Sequence, residues 1–97
     1  MTLETTPFDA AQYLDDEQSQ NELIADAMAS GDLSYLKNAM NTVARARGMT
    51  AVASQAGVTR DTLYKALSET GDPKLSTFTG VLKAFGLKMT VEPIEAA

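Results

Sequence analysis

Thr59, Arg60, Asp61, Thr62, Tyr64 and Lys65 are the residues of this chain best equipped for recognition chemistry. An arginine can fork onto the O6 and N7 acceptors of a guanine, and an aspartate can accept from the cytosine amine or orient a neighbouring arginine. Lys65 stands about one helical turn after Arg60 and Asp61, within reach of a base or a phosphate on the same face. The plainer alternative is that Arg60 is a solvated charge and that Tyr64 packs half-buried. Covalent and metal chemistry have little to draw on. The chain has no cysteine and no histidine, which removes thiol nucleophiles, the usual hydrolase triads and most zinc sites. Asp15, Asp16 and Glu17 form an acidic run, but consecutive residues on a helix point in different directions, and a helix N-terminus attracts acids for its own reasons. An enzyme is not expected, nor a metal, cofactor or small-molecule substrate. The reading is a protein that works by binding.

The elements that must position these residues are helical. Gly57 falls where a tight turn between two helices wants positive φ, and Thr59 can cap the second of them. The segment 50–68 therefore reads as a helix-turn-helix, with Val52, Ala56, Val58, Leu63 and Ala66 facing inward and Ala53 small where the helices pass closely. An ordinary helical hairpin in a small bundle would share that pattern. In the DNA-binding form, the second helix lays its N-terminal residues against base edges, so Thr59, Arg60, Asp61, Thr62 and Lys65 become base-contacting candidates. Thr50 and Lys74 stand at two further helix starts, where backbone N–H groups meet phosphate. With Arg45, Arg47 and Tyr64 they form the backbone-contacting set. Arg45 and Arg47 have a second reading, as cations at a helix C-terminus.

Outside this unit the pattern continues. A short helix is expected from Asp9 to about Leu14, stapled by Phe8 and Tyr13. The next starts at Asp15 or Asp16 and runs to Ser30, with Leu23, Ile24, Ala27 and Met28 at helical spacing and Gly31 as its stop. Asp32 caps a third, with Leu33, Leu36, Met40, Val43 and Ala44 on one face, ending at Gly48. Thr50 caps the stretch to Ala56, and Thr59 caps a helix to about Ser68. The turn-rich loop Glu69-Thr70-Gly71-Asp72-Pro73 leads to a helix marked by Leu75, Phe78, Leu82 and Phe85. Residues 87–92 alternate apolar and polar, which predicts a single β-strand before Pro93. A lone strand needs a partner, so Leu87, Met89 and Val91 are expected to pair across a homodimer. The fold class is all-α in the main: a compact multi-helix helix-turn-helix domain with an N-terminal helical arm and that one strand. Its expected divisions are an arm over 1–32, a DNA-binding domain over 33–86 and a C-terminal strand and tail over 87–97.

Charge divides along the same lines. Residues 1–32 carry eight acids and no Lys or Arg, whereas residues 33–91 carry eight Lys and Arg against three acids. The net charge of −5 conceals a basic body that can meet phosphates and an acidic arm that can meet something basic. Both could also be plain solvated surface. The start of the chain lacks the basic and apolar regions of a secretory signal, and no apolar run approaches the ~20 residues needed to span a membrane, so a cytoplasmic location is expected.

Four segments together resemble one family: Pro7-Phe8-Asp9-Ala10-Ala11-Gln12-Tyr13-Leu14-Asp15-Asp16-Glu17, Val43-Ala44-Arg45-Ala46-Arg47-Gly48-Met49, Leu63-Tyr64-Lys65-Ala66-Leu67-Ser68 and Val81-Leu82-Lys83-Ala84-Phe85-Gly86-Leu87. In order and spacing they are similar to the addiction module antidote family, antitoxins with a Cro/repressor-type helix-turn-helix. The resemblance implies a RelE/ParE-like toxin as partner and repression of the shared operon through double-stranded operator DNA. Toxins of that kind tend to be basic. The resemblance thus points to the acidic arm, with Asp15, Asp16, Glu17, Glu22 and Asp26 plus the anchors Phe8, Tyr13 and Leu14, as the toxin-binding segment. Leu23 and Ile24 are read as core. Where the family often has a backbone-contacting Gln, this chain has Ala51, which offers no such side chain. A stand-alone Cro/repressor-like regulator with no toxin partner, and a toxin-binding module without DNA binding, remain alternatives.

Overall fold

The computed structural model describes residues 16–95, and the expected helix at 9–14 lies outside them. Among the described residues the chain folds as five α-helices: α1 Glu17–Ser30, α2 Leu33–Arg47, α3 Met49–Ala56, α4 Arg60–Ala66 and α5 Leu75–Ala84. Local chemistry sets most of their ends. The Ser19 N–H donates to the Asp16 carboxylate at 2.7 Å, which starts α1. Asp32 accepts from the N–H groups of Ser34 and Tyr35 and starts α2. Each cap occupies a donor that the first helical turn leaves open.

The core forms where α2, α3, α4 and α5 meet. Met40, Val43, Ala44, Leu63 and Val81 are wholly buried, with Val52, Ala53, Leu82 and Phe85 beside them. The helix α1 joins through Ile24 and Ala27, and Leu23 is packed against the same cluster, which places Leu23 and Ile24 on the core side as expected. One glycine permits the closest approach. A Cβ on Gly80 would stand 2.9 Å from the Ala56 carbonyl oxygen, so α5 can cross α3 closely only because that atom is absent.

Several expectations need correction. Thr50 does not cap α3. Gly48 holds that position without a side-chain bond, and Thr50 lies exposed inside the first turn. The fourth helix stops at Ala66 rather than Ser68, where the Ser68 hydroxyl donates to the Lys65 carbonyl and competes with helical continuation. Leu33 and Leu75, assigned to core faces, are exposed. Each is the first residue of its helix, ahead of the turns that pack.

The expected C-terminal strand is not formed. Residues 87–95 have no regular secondary structure, and no strand occurs among the described residues. Alternation sets which side chains share a face, but a strand is a ladder of bonds between two backbones, which one segment does not make alone. Leu87 packs on the core, with its N–H on the Leu82 carbonyl at 2.9 Å. Met89 and Val91 remain exposed.

Candidate nucleic-acid interface

The α3–α4 connection is built by two backbone bonds. The Val58 N–H reaches the Ala53 carbonyl at 3.0 Å and the Gly57 N–H reaches that of Ser54 at 3.2 Å. This double closure needs a left-handed residue, and Gly57 supplies it at φ 79°. Thr59 then caps α4, its Oγ1 accepting from the Thr62 N–H at 3.0 Å and donating to the Thr62 hydroxyl at 2.9 Å. Leu63, wholly buried, pins α4 to the core, while Thr59, Arg60, Asp61, Thr62, Tyr64 and Lys65 are all exposed.

Two of these side chains, Arg60 and Tyr64, are loosely tethered to each other and, through Thr50, to α3. The Arg60 guanidinium donates to the Thr50 hydroxyl at 3.4 Å and to the Tyr64 hydroxyl at 3.3 Å, and it lies 5.4 Å from the centre of the Tyr64 ring. Long, exposed bonds of this kind orient a guanidinium without fixing it. Lys65 and Asp61 pair at 3.4 Å with side chains 80% and 81% exposed, a contact that water largely screens. Beyond α4 an open groove of about 710 Å³ runs toward the start of α5, lined among others by Thr62, Lys65, Lys74 and Ser76. Lys74, the N-cap residue of α5, lines that groove with Lys65, and Asp72 is the one acid among its lining residues. A polyanion is the ligand such a surface can hold.

Two cations sit elsewhere, for reasons the sequence did not disclose. Arg47 was expected on the phosphate-facing set. Its Nε instead donates to the Gln20 Oε1 at 2.6 Å, its guanidinium stacks 5.2 Å from the Phe85 ring centre, and its Nη2 is buried. The head group joins α1, α2 and α5 rather than waiting for a phosphate. Lys37, counted only as part of the basic body, is 6% exposed, and its Nζ donates to the carbonyls of Glu69 at 3.0 Å and Gly71 at 2.6 Å. It holds the loop between α4 and α5. Gly71 is required there, because a Cβ would run into the Lys65 and Ala66 carbonyls. The periodicity that placed Leu36 and Met40 inward could have flagged Lys37 as their neighbour, but its partners lie more than thirty positions away. Arg45 remains exposed near the C-terminus of α2, where either of its two readings holds.

On α1 the exposed acids are Asp16, Glu17, Glu22 and Asp26. The Ser19 backbone N–H, and then its hydroxyl, hold the Asp16 carboxyl below the usual range. That cap is complete above the unfolded carboxyl value and is lost as pH falls through the lower folded one. Asp26 accepts from the Tyr35 hydroxyl, which pushes the phenol above its ordinary value. Glu17 is the first residue of α1, and Glu22 accepts from the Gln18 amide at 3.3 Å. Phe8, Tyr13, Leu14 and Asp15, the other expected toxin-facing residues, lie outside the described residues.

The described residues thus form a small helical protein with exposed Arg60 and Lys65 on α4 and exposed acids along α1. The chain belongs to the family described as "Probable addiction module antidote protein", which matches residues 4–93. It is also 35% identical over 92 residues, covering 95% of each chain, to a protein of Haemophilus influenzae described as uncharacterized. No solved structure matches it. Membership of an antidote family gives the chain an antitoxin role, with a toxin as its partner. No helix among the described residues is long and apolar enough to cross a membrane.

Proposed function

We propose that this chain is the antitoxin of a type II toxin–antitoxin module. It acts in the cytoplasm, neutralises a RelE/ParE-like toxin by direct binding, and represses its own operon by sequence-specific binding to operator DNA as a homodimer. The observation that carries the DNA reading is the exposed row Thr59, Arg60, Asp61, Thr62 and Lys65 on a helix pinned by Leu63. An α-helix fits the major groove, and its first turns present side chains to base edges. Thr50, Tyr64 and Lys74 flank that row and, with exposed Arg45, supply contacts to the sugar–phosphate backbone. A homodimer would set two copies of α4 about 34 Å apart, the spacing of a palindromic operator. The acids of α1, Glu22 and Asp26 among them, form the toxin-facing side together with the segment before residue 16.

The test separates the two roles. Arg60→Ala is expected to weaken operator binding by roughly 1–3 kcal/mol and to relax preference at one base pair, read by quantitative gel shift on the region upstream of the operon. Rescue of growth from the toxin is expected to be unchanged. Unaltered operator affinity in Arg60→Ala would remove α4 as the reading helix.

A further inference from the structure

Away from α4, a groove of about 450 Å³ runs between α1 and the C-terminal segment. Its floor is Ile24 and Leu82, and its walls are Ala25, Met28, Leu87 and Met89. It shares no residue with the groove beside Lys65 and Lys74. Two methionines are left in solvent along it, Met28 at 37% exposed and Met89 at 46%. Exposed apolar surface of this kind is costly to keep unless something covers it, and thioether side chains adapt readily to an incoming shape.

The surroundings state what the occupant must be. On α1, Glu22 shares a face with Ala25 and Ala29, three and seven positions on. Glu17 leads the same helix, and Glu92 lines the opposite wall. Lys88 is the only cation among the lining residues. An apolar trough with a net acidic rim complements an amphipathic segment bearing Lys or Arg beside its apolar ridge.

We propose that this groove is the seat of the toxin, which inserts a basic amphipathic segment between Met28 and Met89 with its cations over Glu17, Glu22 and Glu92. The proposal rests on the antitoxin role and names the surface that performs it. It moves Leu87 and Met89 from a contact between copies of this chain to a contact with a different protein. The fold leaves both partners room, because α4 and this groove have separate linings.

Ala25 is exposed on a helix, so substitutions there leave the fold intact. With full-length protein and its co-expressed cognate toxin, Ala25→Arg is expected to weaken toxin binding by about tenfold or more. Ala25→Glu, of similar bulk but favourable sign, is expected to weaken it less, with the gap closing at high salt. Met28→Gln and Met89→Gln should each weaken toxin binding while sedimentation and operator binding stay as in wild type. Wild-type toxin affinity in all four variants overturns the proposal. So does loss of self-association with toxin affinity retained, which would make a second copy the occupant. A wild-type chain that fails to bind the toxin at all would defeat the antitoxin reading itself, an outcome distinct from wild type binding and the variants binding equally.

Discussion

Asp61 and Lys65 show how little a visible ion pair can mean for stability and how much for function. Their contact is one turn apart on a helix surface and open to water, so it contributes about 0.3–0.5 kcal/mol or less. Lys65 can therefore leave Asp61 for a phosphate at almost no cost. Lys65→Ala is expected to leave the melting temperature unchanged and to reduce the slope of log affinity against log salt by about one unit per α4 engaged. Asp61→Ala should likewise leave stability alone. An altered melting curve in either variant would mean that the pair supports the helix. The exposed set on α4 was legible because it depends on one glycine, one cap and one period, all within ten residues. Arg47 was not legible. Its role depends on Gln20, twenty-seven positions earlier, and on Phe85 far downstream, and no local pattern distinguishes a cation that stacks inward from one that waits in solvent.

The same division between local and distant causes runs through the elements. Asp32 and Thr59 were readable as caps because a cap's partner lies two or three residues away, as each does here, and Asp16 proves to cap α1 in the same way. The strand at 87–92 was misread because alternation describes side chains, whereas a strand also needs a second backbone. Between these cases stands the α4–α5 loop. Its turn chemistry was evident from Gly71 and Pro73, but the tie that fixes it, Lys37 on the Glu69 and Gly71 carbonyls, was hidden. That tie sets where Lys74 and the start of α5 sit relative to Lys65. Lys37→Met keeps the buried stem and removes the ammonium, so the Glu69 and Gly71 carbonyls lose their charged donor. Lys37→Met is expected to lower thermal stability and also to reduce the salt slope of operator binding, since phosphate contacts at α5 lose register. A Lys37→Met protein that is less stable but keeps the wild-type slope below its melting point would make Lys37 a purely structural tie.

At the scale of the whole molecule the opposed charges become a design constraint. An acidic α1 repels the same polyanion that the basic α4 attracts, and the two must share one small body. The described residues fill an envelope of 43 × 42 × 25 Å. The Debye length is about 8 Å at physiological ionic strength, so charges on separate faces of such a body hardly sense each other's ligand there. At about 0.01 M salt the length grows to roughly 30 Å and exceeds the thinnest dimension, and repulsion from α1 then reaches across the protein. Replacing Glu17 and Glu22 together with Gln is therefore expected to tighten operator binding in dilute buffer and to leave it unchanged near 0.15 M. Neither residue caps its helix, and only the favourable placement of Glu17 in the first turn is lost, so stability should fall slightly at most. Toxin association should respond oppositely, slowing in dilute buffer as the attraction that steers a basic partner is removed. Titrations of DNA and toxin against the Glu17→Gln, Glu22→Gln double variant at both salt concentrations measure the two effects side by side. A change in operator affinity that persists undiminished at 0.15 M would show that α1 touches the duplex directly, and the separation of the two binding faces would not survive it.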